Sequence, residues 1–465
     1  MTAFDLLLRN VEVEGRAGMD VAILAGRVAE IGVALTGAAE TIDGRGGALI
    51  PGLVDHHIHL LALAAQASSL ALDATNGAGF ARLVGDASRG RRAGDWLRVT
   101  GYHESMAGEL NRHVLDRLAP GVRLRVQHRT GALWILNSAA LEAVLDGEPP
   151  PFVERGPDGM ATGRILRGDD WLRGRLADSP PSLREVGAGL AAMGITAVTD
   201  ASVTTDATAA KLLADAVRGG DLPLRLRLMS GGALPPPADG AYSLGPVKIL
   251  LDEARLPDFA EVTDTIARAR AWNRRIAAHC VTATELAFVL AAFEAAGSLP
   301  GDRIEHGGVI PVSAIGALVR LQLTVVTQPA FVFERGDSYL AEVEPAEQGD
   351  LYRCASLLAA GVPVAGSSDA PYATPDPWLA IRAAASRRTR SGRALGLSER
   401  IDAGLDLFLS GPDSPGLAPR RVETGATADL CLLGIPLARA LAEPSAEHVR
   451  ATLVGGRVVY RRAMD

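Results

Sequence analysis

The 465-residue sequence predicts an α/β protein, and three patterns carry that prediction. Through the middle of the chain, short β-branched runs alternate with longer helical segments, as in parallel βαβ units. Eight such runs can be counted, which is the strand number of a (β/α)8 TIM barrel. Both ends of the chain instead carry short apolar runs separated by turn residues. The predicted fold is therefore a (β/α)8 TIM barrel with a small β-sandwich domain built from both chain termini.

The terminal domain is predicted from residues 1–50 and 416–465. Its N-terminal part reads "DLLLRNVEVEG", "DVAILAGRVAEIG" and "ETIDGRGGALIPG", a pattern typical of a small antiparallel β unit. Its C-terminal part continues in "TADLCLLGI" and "VRATLVGGRVVYR", where Gly455 and Gly456 predict a hairpin turn. Neither end can bury a sheet face alone, so we expect them to pack together.

The barrel is predicted over residues 51–415. Helical periodicity separates its strands, for example in "SLREVGAGLAAMG" and "ATELAFVLAAFEAAG". An interruption at about 75–180 is expected to be an insertion over the barrel mouth, where loops carry specificity. The candidate strands are 53–59, 195–200, 224–229, 247–251, 276–280, 303–306, 323–328 and 362–369.

Charge and cysteine content narrow the class of protein. The net charge of −7 is spread along the chain without a basic stripe, so a nucleic-acid partner is not expected. The 3 cysteines have no CxxC spacing, which favours a reducing compartment. The N-terminus has no signal-peptide or transit-peptide pattern, and the most apolar stretch, residues 60–72, is short and carries polar residues. These patterns predict a cytoplasmic protein with a small-molecule substrate and no membrane partner.

Polar residues close several of the predicted strands. In a parallel barrel the carboxyl ends of all strands face one mouth, so these side chains should converge. Imidazoles and a carboxylate with a position left for water are typical of a hydrolytic zinc site, although a set of hydrogen-bonded polar side chains would give the same pattern. The candidate metal ligands are His57, His59, Lys248, His279, His306 and Asp369.

The first two candidate ligands come from the motif "VDHHIHL". His57 and His59 are two residues apart, hence on one face of a strand, and both can reach the same ion. His56 between them should point the other way and is the poorest ligand of the three.

Lys248 needs a separate explanation, because a protonated amine repels a metal ion. Carbamylation by carbon dioxide would convert its side chain into a carboxylate able to bridge two metals, and burial favours the neutral amine that this reaction needs. An ordinary ion-paired lysine is the alternative. Lys211 and Lys248 are the only lysines among 47 basic residues, which favours a special role for the one on a predicted strand, Lys248.

Motifs along nearly the whole chain resemble the amidohydrolase superfamily, and most closely amidohydrolase family 3, which includes enzymes like N-substituted formamide deformylase. The combination of the HxH motif with a late "SDAP" is the specific part of this likeness. The matching segments are "PGLVDHHIHL", "VTGYHES", "GALWILNSAALE", "ATGRILRG", "MGITAVTDAS", "GPVKILLDE", "RIAAHC", "RIEHGG", "VVTQPAF", "GSSDAP", "GATADLCLL" and "TLVGGRVVY".

The resemblance implies a binuclear metal centre with two divalent ions per chain, Zn²⁺ being the expected metal. His57 and His59 would hold the buried ion with Asp369, carbamylated Lys248 would bridge, and His279 and His306 would hold the exposed ion. A metal-bridged hydroxide would attack the substrate carbonyl. Asp369 would take the hydroxide's proton as general base and return it to the leaving nitrogen as general acid. Barrels of this family commonly pair through outer helices, so a homodimer is an expectation.

The sequence departs from the family pattern where many relatives have a Gly-His pair and this chain has Gly131 and Ala132. His128, four residues earlier, is a candidate replacement. Residues near the predicted mouth or in the insertion are candidates for substrate contact, and arginines among them suggest a substrate with a carboxylate. These candidates are His103, His128, Trp134, Arg164, Arg167 and Tyr372.

The predicted function is metal-dependent hydrolysis of a carbon–nitrogen bond in an amide, N-acyl, formamide, carbamate or cyclic amide substrate. Ester or lactone hydrolysis at the same metal site is an alternative, because only the leaving group differs. A non-catalytic amidohydrolase-like scaffold is another, and loss of metal ligands would be its expected mark.

Overall fold

The structure is a computed structural model that describes residues 4–67, 69–72, 79–130, 132–176 and 182–463. The chain forms two compact units, one of residues 1–60 with 183–465 and one of residues 61–182. The first unit contains the barrel and the terminal sheets, and the second is called the inserted unit below.

The described strands are numbered in chain order. They are β1 (Phe4–Val13), β2 (Arg16–Leu24), β3 (Arg27–Gly32), β4 (Ala38–Asp43), β5 (Leu49–Pro51), β6 (Leu53–Ile58), β7 (Leu70–Ala71), β8 (Trp96–Tyr102), β9 (Arg123–His128), β10 (Leu133–Leu136), β11 (Val153–Arg155), β12 (Ala161–Leu166), β13 (Ile195–Asp200), β14 (Arg225–Ser230), β15 (Ser243–Ile249), β16 (Ile276–Cys280), β17 (Arg303–His306), β18 (Thr324–Thr327), β19 (Val364–Gly366), β20 (Leu430–Leu433), β21 (Val449–Val454) and β22 (Arg457–Arg461).

The described helices are numbered in the same way. They are α1 (Leu60–Ala67), α2 (Phe80–Ser88), α3 (Glu104–Ala107), α4 (Arg112–Leu118), α5 (Ser138–Val144), α6 (Asp169–Arg175), α7 (Arg184–Ala192), α8 (Ala207–Arg218), α9 (Phe259–Ala271), α10 (Ala283–Ala296), α11 (Val312–Arg320), α12 (Ala330–Glu342), α13 (Ala355–Ala359), α14 (Pro377–Ser386) and α15 (Leu437–Ala442). Short 3-10 turns lie at Glu253–Arg255, Gln348–Asp350, Leu397–Glu399, Gly404–Phe408 and Ala446–His448.

Eight parallel strands form the barrel, in the order β6, β13, β14, β15, β16, β17, β18 and β19. The backbone N–H of Asp369 donates to the carbonyl of His57 at 2.8 Å, and that of His59 donates to the carbonyl of Ala370 at 2.8 Å, so the segment after β19 returns to β6. All eight predicted strands are present, and the predicted barrel fold is confirmed.

Burial on both faces explains why these strands read as continuous β-branched runs. In β13, "ITAVTD", and in β18, "TVVT", every residue is buried. Helices cover the outer face of a parallel barrel while side chains fill its interior, so no strand face is left for solvent. The alternation of polar and apolar residues seen in a half-exposed strand is therefore absent from β13 and β18, whereas β14, "RLRLMS", retains it with Arg225 exposed.

The terminal strands form two four-stranded sheets, ordered β3-β2-β1-β4 and β22-β21-β20-β5. Leu6 and Leu8 of the first sheet share one apolar core with Leu430, Leu432 and Leu453 of the second. The expectation of an antiparallel unit is wrong for β4, which pairs parallel with β1. After β3 the chain crosses to the far side of β1, so β4 runs in the same direction as β1 and β3.

The inserted unit has its own six-stranded sheet, ordered β7-β8-β9-β10-β12-β11. One face packs in a core that includes Phe80, Val99 and Val126. A second core, around Leu136 and Leu141, lies on the other face. The unit therefore buries apolar side chains on both sides of its sheet within its own residues.

No described helix combines the length and the apolar character needed to cross a lipid bilayer.

Candidate metal centre

The structure places all six predicted metal ligands in the barrel unit, at or just beyond the carboxyl ends of its strands. His57 lies in β6 and His59 directly follows it; Lys248 lies in β15, His279 in β16, and His306 ends β17, while Asp369 follows β19. Since neighbouring strands of a parallel barrel end at one face, this order brings distant parts of the chain together.

Asp369 lies at the centre of the cluster. Ligand atoms of His57, His306 and Asp369 all lie within 4.8 Å of one another. Asp369 Oδ1 is 3.5 Å from Nε2 of His57 and 3.2 Å from Nε2 of His59. The ring of His279 continues the cluster, with its centre 4.5 Å from that of His306.

Three of the histidines have Nδ1 atoms within hydrogen-bond distance of other residues, which leaves Nε2 as the nitrogen that has no such partner among the described residues outside the cluster. The Nδ1–H of His57 donates to the buried carboxylate of Glu305, and Nδ1 of His306 lies 3.0 Å from the side-chain oxygen of Gln328. Nδ1 of His59 lies 3.0 Å from the hydroxyl of Ser202. A carboxylate or carbonyl on the far nitrogen fixes the tautomer in which Nε2 has a lone pair, as metal-binding histidines require.

Low pKa values keep these imidazoles neutral. Burial, reinforced by the charge of Lys248, lowers the pKa of His57 far below its usual value and that of His279 to about 4. Burial and the nearby His57 lower the pKa of His306 well below its usual value. A neutral imidazole is the form that binds a metal ion.

Lys248 is buried beside these histidines, and burial lowers its pKa to about 8. Among the described residues, none forms a hydrogen bond with Lys248 Nζ, His57 Nε2 or Asp369 Oδ1, although all three atoms are buried. Buried polar atoms are normally hydrogen-bonded, so three such atoms without partners mark this cluster as a candidate ligand site. The donor set of imidazoles and carboxylate fits a divalent metal.

Backbone conformation also marks the site. His306 and Asp369 have φ values of 68° and 57°, in the left-handed region that non-glycine residues rarely adopt. The loop containing Asp369 is anchored to β6 by Asp55, which accepts hydrogen bonds from the Ser368 N–H at 3.0 Å and the Ser368 hydroxyl at 2.5 Å. Such strained residues persist where surrounding contacts hold them, and they cluster at functional sites.

Sequence reasoning missed the residues that orient the ligands, among them Glu305, Gln328, Ser202 and Asp55. The alternation rule places Glu305 and His306 on opposite faces of β17, and so it gave no reason to expect both at the site. The left-handed conformation of His306 ends the alternation there. A buried acid in "RIEH" was the available signal, because an ionised carboxylate inside a barrel needs a partner.

The proposed substrate contacts are spread over both units. In the barrel unit, the exposed ring of Tyr372 packs edge-on to His59 at 5.7 Å. In the inserted unit, His128 Nε2 is 3.0 Å from the Glu104 carboxylate, and His103 lies beside it. Arg164 pairs with Glu154 at 3.2 Å, Arg167 is exposed, and Trp134 is buried in the second core of that unit.

Comparison with known proteins identifies the class to which this fold and cluster belong. The sequence profile of the amidohydrolase family matches residues 40–460, nearly the whole chain. The chain therefore belongs to the amidohydrolase family and is a hydrolase that acts on carbon–nitrogen bonds. The family predicted from the motifs is confirmed.

One curated relative and two solved structures illustrate the likeness in sequence and in fold. The chain is 25% identical to N-substituted formamide deformylase from Arthrobacter pascens over 528 aligned positions, which cover 98% of this chain and 97% of the relative. A metal-dependent hydrolase from Pyrococcus horikoshii has a similar fold, with a TM-score of 0.76 and 18% identity over 92% of this chain and 97% of that one. A second metal-dependent hydrolase, from Pyrococcus furiosus, has a TM-score of 0.73 and 19% identity over 91% of this chain and 98% of that one.

Proposed function

We propose that the chain is a metal-dependent amidohydrolase that cleaves an amide, N-acyl, formamide, carbamate or cyclic amide substrate with two divalent ions, Zn²⁺ being the expected metal. The observation that carries this proposal is the group of buried, unsatisfied atoms on His57, Lys248 and Asp369 beside histidines whose pKa values are low. The similarity to a formamide deformylase makes N-substituted formamides the first substrates to test.

His57, His59 and Asp369 would hold one ion, and His279 and His306 the other, with Lys248 between them. Bound divalent ions would supply Lewis-acid polarisation of the carbonyl and lower the pKa of water. The residues around them hold the donors in place: Glu305 and Gln328 fix two imidazoles, and Asp55 fixes the loop that carries Asp369.

Asp369 is the proposed proton carrier. Its Oδ1 faces His57 and His59 while its Oδ2 lies 3.7 Å from Nδ1 of His306, so the carboxylate is central to the cluster. We assign it the role of taking a proton from water as the carbon–oxygen bond forms. It then returns that proton to the nitrogen as the carbon–nitrogen bond breaks.

Lys248 is the proposed bridging group, as a carbamate. Its neutral amine would attack carbon dioxide, forming an N–C bond and releasing one proton, and the product is a carboxylate. Burial favours the neutral amine, and Nζ has no hydrogen-bond partner among the described residues. A carboxylate at this position would offset part of the positive charge of the ions.

The test begins with metal content per chain in protein purified without chelators, followed by turnover on matched amide and ester panels. About two zinc-like ions per chain are expected, with faster turnover of amides. Asp369→Asn should retain most of the metal yet lose about 10²–10⁴-fold in kcat, the usual range for removal of an acid–base group. Full activity in that variant would exclude Asp369 from the mechanism.

Other outcomes distinguish the alternatives. One ion per chain would indicate a mononuclear hydrolase with an unmodified Lys248. Faster turnover of esters or lactones than of amides would reassign the substrate class at the same site. No metal after supplementation would contradict the proposed mechanism as a whole.

A further inference from the structure

The inserted unit contains a feature that the metal centre does not explain. One face of its sheet carries tryptophan and arginine side chains on three adjacent strands. Trp96 is in register with Arg123 and Arg98 with Arg125, so these pairs lie on the same face, and Trp134 is in register with Gln127 on the next strand. The set, called the Arg/Trp face below, comprises Trp96, Arg98, Arg123, Arg125 and Trp134.

Arg125 is at the middle of the Arg/Trp face. Its guanidinium carbon lies 5.7 Å from the ring centre of Trp96 and 5.4 Å from that of Trp134. Arg98 also approaches Trp134, at 5.4 Å, and Arg123 approaches Trp96 at 5.8 Å. Two tryptophan rings thus hold one guanidinium between them and limit the water around it.

The charge of Arg125 is not balanced within the described part of the chain. No carboxylate there contacts it, and its Nε–H is buried without a hydrogen-bond partner. Burial, together with the charge of Arg98, lowers the pKa of Arg125 to about 10. In contrast, Arg155, Arg164 and Arg175 of the same unit each pair with a carboxylate. A partly buried guanidinium normally has an anionic partner, and here that partner is absent from the described residues.

We propose that the Arg/Trp face binds a small-molecule oxyanion, either a carboxylate or a phosphate group, with Arg125 as its principal contact. The planar guanidinium offers Nε–H and Nη–H in a fork that matches two oxygens of such a group. Arg123, two residues along the same strand, adds positive charge on the same face. The tryptophans hold the fork in position, which lowers the entropic cost of binding.

A purely structural role is the competing explanation, since arginines stacked on tryptophans also cover apolar surface. The two explanations predict different effects of an added anion on the stability of the protein. A structural stack loses stability when Arg125 is changed, whether or not an anion is present. A binding site gains stability from the anion, and that gain disappears with Arg125.

The experiment is calorimetric titration of the full-length, metal-free protein with sodium phosphate and, separately, with sodium benzoate. Removing the metal prevents anions from binding at the metal centre. Saturable binding of one anion per chain is expected, and Arg125→Gln should weaken it about tenfold or more because the bidentate contact is lost. Arg155→Gln, which removes an arginine that already has a carboxylate partner, should bind as the wild type does. Preference for phosphate or benzoate identifies the source of the oxyanion.

Two results would overturn the proposal: no saturable binding of either anion to the wild type, or unchanged affinity in Arg125→Gln. If Arg125→Gln does not fold, Arg125→Lys provides the comparison, since it keeps the charge and removes the fork. Phosphate or benzoate should then raise the melting temperature of the wild type more than that of Arg125→Lys. An equal rise in both would assign Arg125 to structure alone.

Discussion

His57 shows how a single side chain is prepared for its role. Its Nδ1–H donates to Glu305, which leaves the Nε2 lone pair facing Asp369 at 3.5 Å. Burial opposes ionisation of Glu305, but the charges of Arg303 and Lys248 lower its pKa below the ordinary value. Arg303 also donates to the carbonyl of His56 at 2.6 Å, so the acid and its cation are both anchored to β6. The orientation of the ring follows from this buried network.

Gln328 permits a clean test of such orientation, because it is neutral and fully buried. Gln328→Met removes the acceptor for His306 Nδ1 while keeping a side chain of similar length. Metal affinity, measured by competition with a chelator, should fall about 10–100-fold, the usual cost of losing a residue that orients a ligand. Thr327→Val is the matched control, since Thr327 is the adjacent residue and its buried hydroxyl has no hydrogen-bond partner among the described residues. Equal affinities in the two variants would show that Gln328 does not orient His306.

Lys248 is expected to be required for activity. Lys248→Ala should reduce kcat by about a hundredfold or more, within the range for removal of one electrostatic group from a reaction centre. Short carboxylic acids should restore part of the activity by filling the space of the carbamate. Lys211→Ala is the control, because Lys211 is exposed and pairs with Asp215 at 2.6 Å. A native mass of active wild-type protein that shows an unmodified lysine would contradict the carbamate bridge.

At the scale of elements, the sequence predicted which strands exist but not how each one ends. Short apolar runs located all eight barrel strands, because the largely buried strands of a parallel barrel leave an apolar signal in the sequence. The six candidate ligands could be predicted for the same reason, as each closes or lies near the end of such a run. Glu305 could not, since its role depends on its contact with His57, which comes from a distant part of the chain. Its other partner, Arg303, lies two residues before it on the same strand.

Helix α13, which precedes β19 and the Asp369 loop, depends on a distant acid. Glu399 accepts hydrogen bonds from the backbone N–H groups of Cys354 and Ser356 at 3.0 Å and from Arg353 at 2.5 Å. A carboxylate at the start of a helix satisfies exposed N–H groups and complements the positive end of the helix dipole. The helix is thereby fixed to the 3-10 turn at Leu397–Glu399.

We expect Glu399→Gln to destabilise the barrel unit by about 3 kcal/mol, because it leaves the Arg353 charge buried with fewer partners. The measurement is the thermal unfolding midpoint by calorimetry. Glu294→Gln, which breaks an exposed pair with Arg320, should cost at most about 1 kcal/mol. Equal midpoints for the two variants would mean that Glu399 does not anchor α13.

At the scale of the whole molecule, the two chain ends and the insertion are organised differently. The terminal sheets share one core, so Leu6 and Leu8 from the start of the chain need Leu430 and Leu453 from its end. The inserted unit instead buries its apolar residues against one another, on both faces of its own sheet. Sequence composition could not distinguish the terminal sheets from the inserted unit, because both consist largely of short strands. The two regions differ in which residues those strands contact.

These arrangements predict that a fragment of residues 61–182 folds by itself. Each face of its sheet already has a core, from Phe80 and Val99 on one side to Leu136 and Ile165 on the other. Circular dichroism should show β structure and a cooperative thermal transition, as expected for a domain of this size. A chain ending at residue 415 should fail to fold, because it lacks β20 to β22 and leaves Leu6 and Leu8 without a covering sheet. A random-coil spectrum for the fragment, or a stable fold for the truncated chain, would contradict this account of where the molecule's cores lie.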